Sequence, residues 1–290
     1  MKIKRVSRNI AKFETESKKV KIACLSDIHF DSVHCNRDLL KIHLDYCVKN
    51  EIPVFINGDL FDLMGSRKDF RGSKGKIRPE LNMDNYFDSV VKTAVEWFTP
   101  YANIIKVIAY GNHETSIIKH QETDILQRFV DLINYKCNSK IITGGYGGWI
   151  YLNNSVGGCR QSVKIKYMHG VGKGGGIISK GAINLSRALM LYNADVFLMG
   201  HIHENSARTD CKEYLHCSKG GQEVRHKYIH SAILGCYKDE YKDGAEGWHI
   251  ERGAPPKPLG GRILEFNFKR DQINKIKKSS VLVDSYNFPL

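Results

Sequence analysis

The sequence predicts an α/β fold whose second half is rich in strands, and three observations carry that reading. Up to about residue 140, short apolar runs alternate with segments of helical period, the pattern of strands joined by helices. From about residue 141 the apolar runs follow one another with glycine punctuation and a single helical interruption, as strands joined by turns do. No fixed-period repeat or linker divides the 290 residues, so the chain reads as one domain, 1–290.

After a basic lead-in, "KVKIACLSD" (19–27) reads as a strand, and "NRDLLKIHLDYCVKN" (36–50) places Leu40, Leu44, Cys47 and Val48 at helical spacing. "IPVFINGD" (52–59) is a second strand ended by Gly58. A helix is expected at about 84–98, a strand in "NIIKVIAYGNH" (103–113) and a helix within "ETDILQRFVDLINY" (122–135). Six further strands are expected in "KIITGG", "WIYLNN", "SVKIKYMHG", "ADVFLMGH", "KYIHSAILG" and "GRILEFNF", with "INLSRALMLYN" (183–193) as the helix among them. The Pro/Gly stretch 253–261 is a loop, and 236–290 lies largely outside the motifs described next.

No run reaches the 18 apolar residues that a membrane helix needs, and the basic N-terminus has no apolar stretch of a secretion signal. Eight scattered cysteines form no disulfide framework, so a cytoplasmic protein with no membrane partner is expected. Cys211 and Cys217, with His216 and His226 nearby, match no standard zinc spacing. A net charge of +13, from 44 Lys and Arg against 31 Asp and Glu, makes the surface attractive to polyanions without choosing one.

The chemistry collects where apolar runs end. The first strand ends in Asp27 and His29, the second in Asp59 and Asp62, the third in Asn112, His113 and Glu114. Later runs end in His169 and in "GHIH", His201 and His203, which two-residue alternation would point to one side if the extended backbone continued. Each piece taken singly is an ordinary turn. Their joint order, D-x-H, G-D-x-x-D, G-N-H-E, H-G and G-H-x-H, each at a strand end, is a site, because ligands gather at the carboxyl ends of α/β sheets.

This ordered set resembles the calcineurin-like metallophosphoesterases, over about residues 20–235. The resemblance implies a four-layer α-β-β-α sandwich with two mixed β-sheets and a centre of two divalent metal ions. Asp27, His29 and His203 would hold the first metal, Asn112, His169 and His201 the second, and Asp59 would bridge them. Carboxylate, imidazole and amide donors suit Mn²⁺ first, with Fe or Zn²⁺ as alternatives. Two such ions about 3.5–4 Å apart activate a bridging water and clamp the phosphoryl oxygens of an in-line displacement. His113, by the family pattern, is a proton donor to the leaving oxygen, for about 10²–10⁴-fold in rate. Asp62 and Glu114 would orient the ligands.

The resemblance also sorts the substrate. Protein phosphatases of this kind place arginines after both the GD and GNHE motifs, where this chain has Leu63 and Thr115. "GDLFD" resembles instead the DNA-repair exonuclease and phosphodiesterase branch. The basic stretch 67–78 follows at once, and Arg67, Lys68 and Arg71 there are candidates to meet a DNA or RNA backbone. Phe70 is its one aromatic, so a stacking platform is not expected. The glycine-rich loop 169–181 departs from P-loop spacing, and Lys173 within it is a further substrate-contact candidate. A phosphodiesterase acting on nucleic acid is expected, with a phosphomonoesterase or small-molecule phosphodiesterase as the alternative. A scaffold without catalysis would not keep all seven ligand positions and His113.

Overall fold

The computed structural model describes residues 1–64, 77–156, 159–170, 179–218, 220–241, 248–251, 253–273 and 276–289. Among these residues thirteen strands, named in chain order, build two sheets. β1 (Lys2–Ser7), β2 (Ile10–Thr15), β7 (Gly147–Val156), β8 (Cys159–Met168), β9 (Val196–Met199), β10 (Ser206–Ser218) and β11 (Gly221–Ile233) form one, in the order β1-β2-β7-β8-β9-β11-β10. β3 (Lys19–Leu25), β4 (Val54–Asn57), β5 (Ile105–Ala109), β6 (Ile142–Thr143), β12 (Arg262–Ile273) and β13 (Ile276–Asn287) form the other, in the order β13-β12-β3-β4-β5-β6. Both sheets mix parallel and antiparallel pairs.

Three separate cores define four layers. On one face of the six-stranded sheet, Ala23, Leu25, Val54 and Ile56 pack against α1 (Arg37–Lys49), α2 (Tyr86–Phe98) and α4 (Ile125–Cys137). From the other face Val20, Ile22, Cys24 and Phe55 meet Ile150, Leu152, Val163 and Ile165 of the seven-stranded sheet. Beyond that sheet, Phe197, Met199 and Ile233 take Leu185 and Ala188 of α5 (Ala182–Leu191). Strands apolar on both faces read as continuous hydrophobic runs, which is why β3, β4, β5 and β9 are the ones the sequence shows best. The architecture is the α-β-β-α sandwich that the resemblance implies.

The differences from the expected elements follow from burial. The basic lead-in is the β1–β2 hairpin, whose β2 extends the sheet beside β7. β10 and the outer half of β11 bury no apolar side chain, so their ladder is held by mutual hydrogen bonds and no apolar alternation marks them. Cys211 and Cys217 sit six residues apart along β10, about 20 Å at 3.3 Å per residue, too far for a shared zinc. The expected helix in 122–135 is α4 alone, because a second helix, α3 (Asn112–Gln121), starts inside the third-strand motif. On α1 the inward face is Leu40, His43, Leu44 and Cys47, and Val48 is exposed.

His43 lies 4.2 Å from a stacked Phe288 ring, with Nδ1 2.9 Å from the Tyr237 hydroxyl. Burial pushes its imidazole from 6.5 down to about 4. The folded chain thus favours neutral His43 while the unfolded chain takes up a proton below pH 6.5, so this contribution is intact above pH 6.5 and lost between 6.5 and 4. Replacing His43→Gln is expected to flatten the fall of melting temperature across that window.

Candidate metal centre

β3, β4 and β5 run parallel, as do β8 and β9. The two sets of carboxyl ends meet across the sandwich, tied by Asn57 Nδ2 donating to the Met168 carbonyl at 3.0 Å and by the His201 N–H donating to Asp27 Oδ2 at 2.9 Å. The loops leaving these strands turn sharply. Asp27, His29, Asp59, His201 and His203 all hold left-handed backbone, with φ of 52°, 51°, 49°, 70° and 55°. Such conformations cost about 1–3 kcal/mol each in a non-glycine residue and gather at functional sites. β9 ends at Met199, so the two-residue alternation that would put His201 and His203 on one side does not continue. The turns send them apart.

His203 turns to the first group, with Nε2 3.2 Å from Asp27 Oδ1 and 3.4 Å from His29 Nε2. His201 turns to the second, with Nδ1 2.8 Å from Asn112 Oδ1, which is also 3.1 Å from His169 Nε2. Asp59 Oδ2 lies 3.1 Å from His169 Nε2 and 4.0 Å from His29 Nε2, so one oxygen faces both groups. Among the described residues three sets bring candidate ligand atoms within 4.8 Å of one another: Asp27, His29 and His203; Asp59, His169 and His201; and His29, Asp62 and His113, which shares His29 with the first.

The chemistry of these donors fits divalent cations. The His169 Nδ1 proton goes to the Asn57 carbonyl at 2.7 Å, and His29 Nδ1 points to Asp62 Oδ1 at 2.7 Å. Each ring is left with Nε2 aimed at carboxylate, amide or imidazole acceptors, a set that a bound cation would satisfy. The field agrees: burial would lower His169, yet Asp59 and Asp27 beside it lift it to about 10. Asp27, which burial alone would raise, is brought down to about 2 by His169 and His203.

Three buried groups fix the ligand loops. Ser26 Oγ donates to Asp27 Oδ2 at 2.5 Å, leaving Oδ1 toward His203. Glu114 accepts the N–H groups of Gly111, Asp59 and Phe61 at 2.8, 3.2 and 3.0 Å, and burial with Asp59 nearby pushes its carboxyl up to about 7. Asp31 accepts the N–H groups of Asp62 and Leu63 at 2.6 and 2.9 Å and the Tyr86 hydroxyl. Gly111 completes the packing, since a Cβ there would fall 2.0 Å from Asp59 Oδ1 and 2.3 Å from its amide nitrogen. Gly111→Ala is therefore expected to displace Asp59 and to weaken metal binding about 10–100-fold, the range seen when supports of ligands are lost, measurable by Mn²⁺ titration.

His113 Nδ1 donates to the Asp62 carbonyl at 2.5 Å, and its Nε2 stands 3.8 Å from Asp59 Oδ2. Asp62 Oδ1 stands beside His29 and Glu114 beside the Asp59 amide, while Arg67, Lys68, Arg71 and Lys173 lie outside the described residues. Asp31 and Lys238 escape the sequence reading. Asp31 could have been found, two residues past His29 in "DIHFD". Lys238 carries no local signal, yet its Nζ is 3.1 Å from Asp62 Oδ1.

No curated protein matches this chain. Similar solved structures include Vacuolar Protein Sorting 29 from Cryptosporidium parvum, 11% identical, covering 93% of this chain and 99% of its own, with a TM-score of 0.33. A predicted phosphoesterase from Streptococcus pneumoniae is 13% identical, covering 91% and 98%, with a TM-score of 0.32. GAP50 of the Plasmodium inner membrane complex is 9% identical, covering 94% and 90%, with a TM-score of 0.41. The family model of the calcineurin-like phosphoesterases matches residues 20–205, well over half of the chain and every residue of both donor groups. The chain belongs to the calcineurin-like phosphoesterase family and is a metal-dependent phosphoesterase.

Proposed function

We propose that this enzyme hydrolyses a phosphodiester with two divalent ions held by the two donor groups. Asp27, His29 and His203 hold one, Asn112, His169 and His201 the other, and Asp59 serves both. The observation that carries this reading is the single oxygen, Asp59 Oδ2, facing His29 on one side and His169 on the other. Mn²⁺ suits the oxygen and imidazole donors, with Fe or Zn²⁺ as alternatives. When bound, such ions supply an activated water and positive charge for the phosphoryl oxygens.

The chain's own residues do the rest. With Nδ1–H committed to the Asp62 carbonyl, Nε2 of His113 faces the centre, and in the imidazolium form the proton on Nε2 is the one handed to the leaving oxygen, which leaves the neutral ring. Glu114 and Asp31 hold the Asp59–Leu63 loop by its amides, so the centre is organised before substrate arrives.

Two positions favour a diester over a monoester. A phosphomonoester carries an extra charge that bidentate arginines grip well. Leu63 is 1% exposed, and the Thr115 hydroxyl donates to the Gly111 carbonyl inside its own helix, so neither position offers a clamp. The +13 charge supports a polyanionic diester such as DNA or RNA. A small nucleotide diester or a phosphomonoester is the second reading. The seven free cysteines among the described residues support a reducing, cytoplasmic setting, and no helix among those residues is long and apolar enough to cross a membrane.

The Mn²⁺-loaded enzyme is to be assayed on single- and double-stranded DNA, on RNA, and on nitrophenyl mono- and diesters. Turnover of the diester well above the monoester is expected, with nucleic acid cleaved and its cleavage falling steeply with salt. Preference for the monoester would overturn the diester assignment, and untouched nucleic acid would move the substrate to a small diester.

A further inference from the structure

Five carboxylates of the centre and its supports, Asp27, Asp31, Asp59, Asp62 and Glu114, are each no more than 3% exposed. Lysines and arginines near the loops are mostly spent elsewhere: Arg37 and Arg78 bond backbone carbonyls of Phe30, Ser32 and Cys35, and Lys257 pairs with Glu204. Among the described residues, one lysine pairs with a carboxylate of the centre. Lys238 is 9% exposed, with Nζ 3.1 Å from Asp62 Oδ1 and 3.5 Å from Glu240 Oε1. The Asp62 oxygen that it meets is the one that His29 Nδ1 meets at 2.7 Å.

The lysine is delivered by backbone. Past β11, the Tyr237 N–H donates to the Asp27 carbonyl at 3.0 Å, the Asn36 N–H donates to the Tyr237 carbonyl at 2.8 Å, and the Asp239 N–H donates to the His34 carbonyl at 2.8 Å. Both neighbours of Lys238 are therefore pinned to the loop that carries Asp27 and His29. This segment lies beyond the family match at 20–205, so the ammonium is a contribution of the chain's own C-terminal part.

We propose that Lys238 is a positioning residue of the metal centre. Its ammonium meets the Asp62 oxygen that faces His29 and holds that carboxylate in place, and Asp62 in turn fixes the His29 tautomer whose Nε2 faces Asp27 and His203. A buried carboxylate stripped of its cation is uncompensated, and it is free to leave the histidine that it orients.

The inference rests on reading Asp27, His29 and His203 as one ion's ligands, and metal titration separates the two claims. Mn²⁺ is titrated calorimetrically into wild type, Lys238→Met, Asp62→Asn and the double variant, with bound metal counted by mass. Wild type is expected to take two ions. Lys238→Met should bind one of them about 10–100-fold more weakly and the other within twofold. Asp62→Asn should show the same selective loss, and the double variant should lose nothing further, because both residues act through one histidine. If the methionine variant does not fold, Lys238→Gln, which keeps a donor on a similar stem, should show a smaller loss of the same ion. Unchanged affinities, equal weakening of both ions or additive losses in the double variant would overturn the role of Lys238. A wild type that binds fewer than two ions would instead overturn the reading of the centre.

Discussion

Asp59→Asn is expected to lower kcat on a nitrophenyl phosphodiester by about a thousandfold or more and to abolish simultaneous binding of two ions. Asp59 Oδ2 is the atom common to both donor groups, 3.1 Å from His169 Nε2 and 4.0 Å from His29 Nε2. An asparagine keeps the volume and can keep the acceptor for the His113 N–H, which Asp59 Oδ1 takes at 3.0 Å. What it loses is the charge that serves two cations at once. The metals' charge stabilisation of a phosphoryl transition state is worth several kcal/mol, and each 1.36 kcal/mol is tenfold in rate, which sets the size of the loss. Steady-state kinetics with a metal count on the same sample would check it. A variant that keeps both ions and most of its rate would remove Asp59 from the shared position.

His113→Ala has the second largest expected effect, a fall in kcat of about 10²–10⁴-fold with both ions retained. The separation of rate from metal content follows from where the ring points. Nδ1 is tied to the Asp62 carbonyl and Nε2 stands 3.8 Å from Asp59 Oδ2, beside the centre and outside both sets of ligands assigned here. If His113 protonates the leaving oxygen, the loss should shrink for a diester whose leaving group departs unprotonated and grow for an alkoxide. An equal loss on both substrates, or a loss of metal, would assign His113 to holding the centre together instead.

The residues of the two donor groups are legible in the sequence because each follows an apolar run, buried on both faces at the ends of β3, β4, β5 and β9 and on one face in β8. "ACLSD", "FINGD", "VIAYGN", "KYMHG" and "FLMGH" announce a strand and its polar end together. What the sequence cannot state is how the ends meet. His201 and His203 read as neighbours on one strand face, and only their left-handed backbone, φ 70° and 55°, shows that they part. Helix α3 hides because its first turn is made of Asn112, His113 and Glu114, residues that read as a strand end and a turn. β10 hides because the side chains it turns toward α5, Arg208 and Lys212, are charged, so no apolar alternation marks it.

Supports of the ligands are legible only when they lie close in sequence. Glu114 stands two residues from Asn112, and it works by taking amides of the Asp59 loop more than fifty residues away. Lys238 stands 176 residues from its partner Asp62. No spacing rule reaches that far, since the partnership exists only once the segment after β11 is pinned beside Asp27. The substrate is the least legible part, because a surplus of basic residues attracts any polyanion and Leu63 and Thr115 only speak against one way of gripping a monoester.

On the proposed reading one carboxylate oxygen, Asp59 Oδ2, serves two ions. A crystal of the Mn²⁺-loaded enzyme, with anomalous scattering collected for manganese, tests it most directly. Two peaks are expected, one among Asp27, His29 and His203 and one among Asn112, His169 and His201, with Asp59 in contact with both. A single peak, or a second one held without Asp59, would mean that this oxygen does not join two ions.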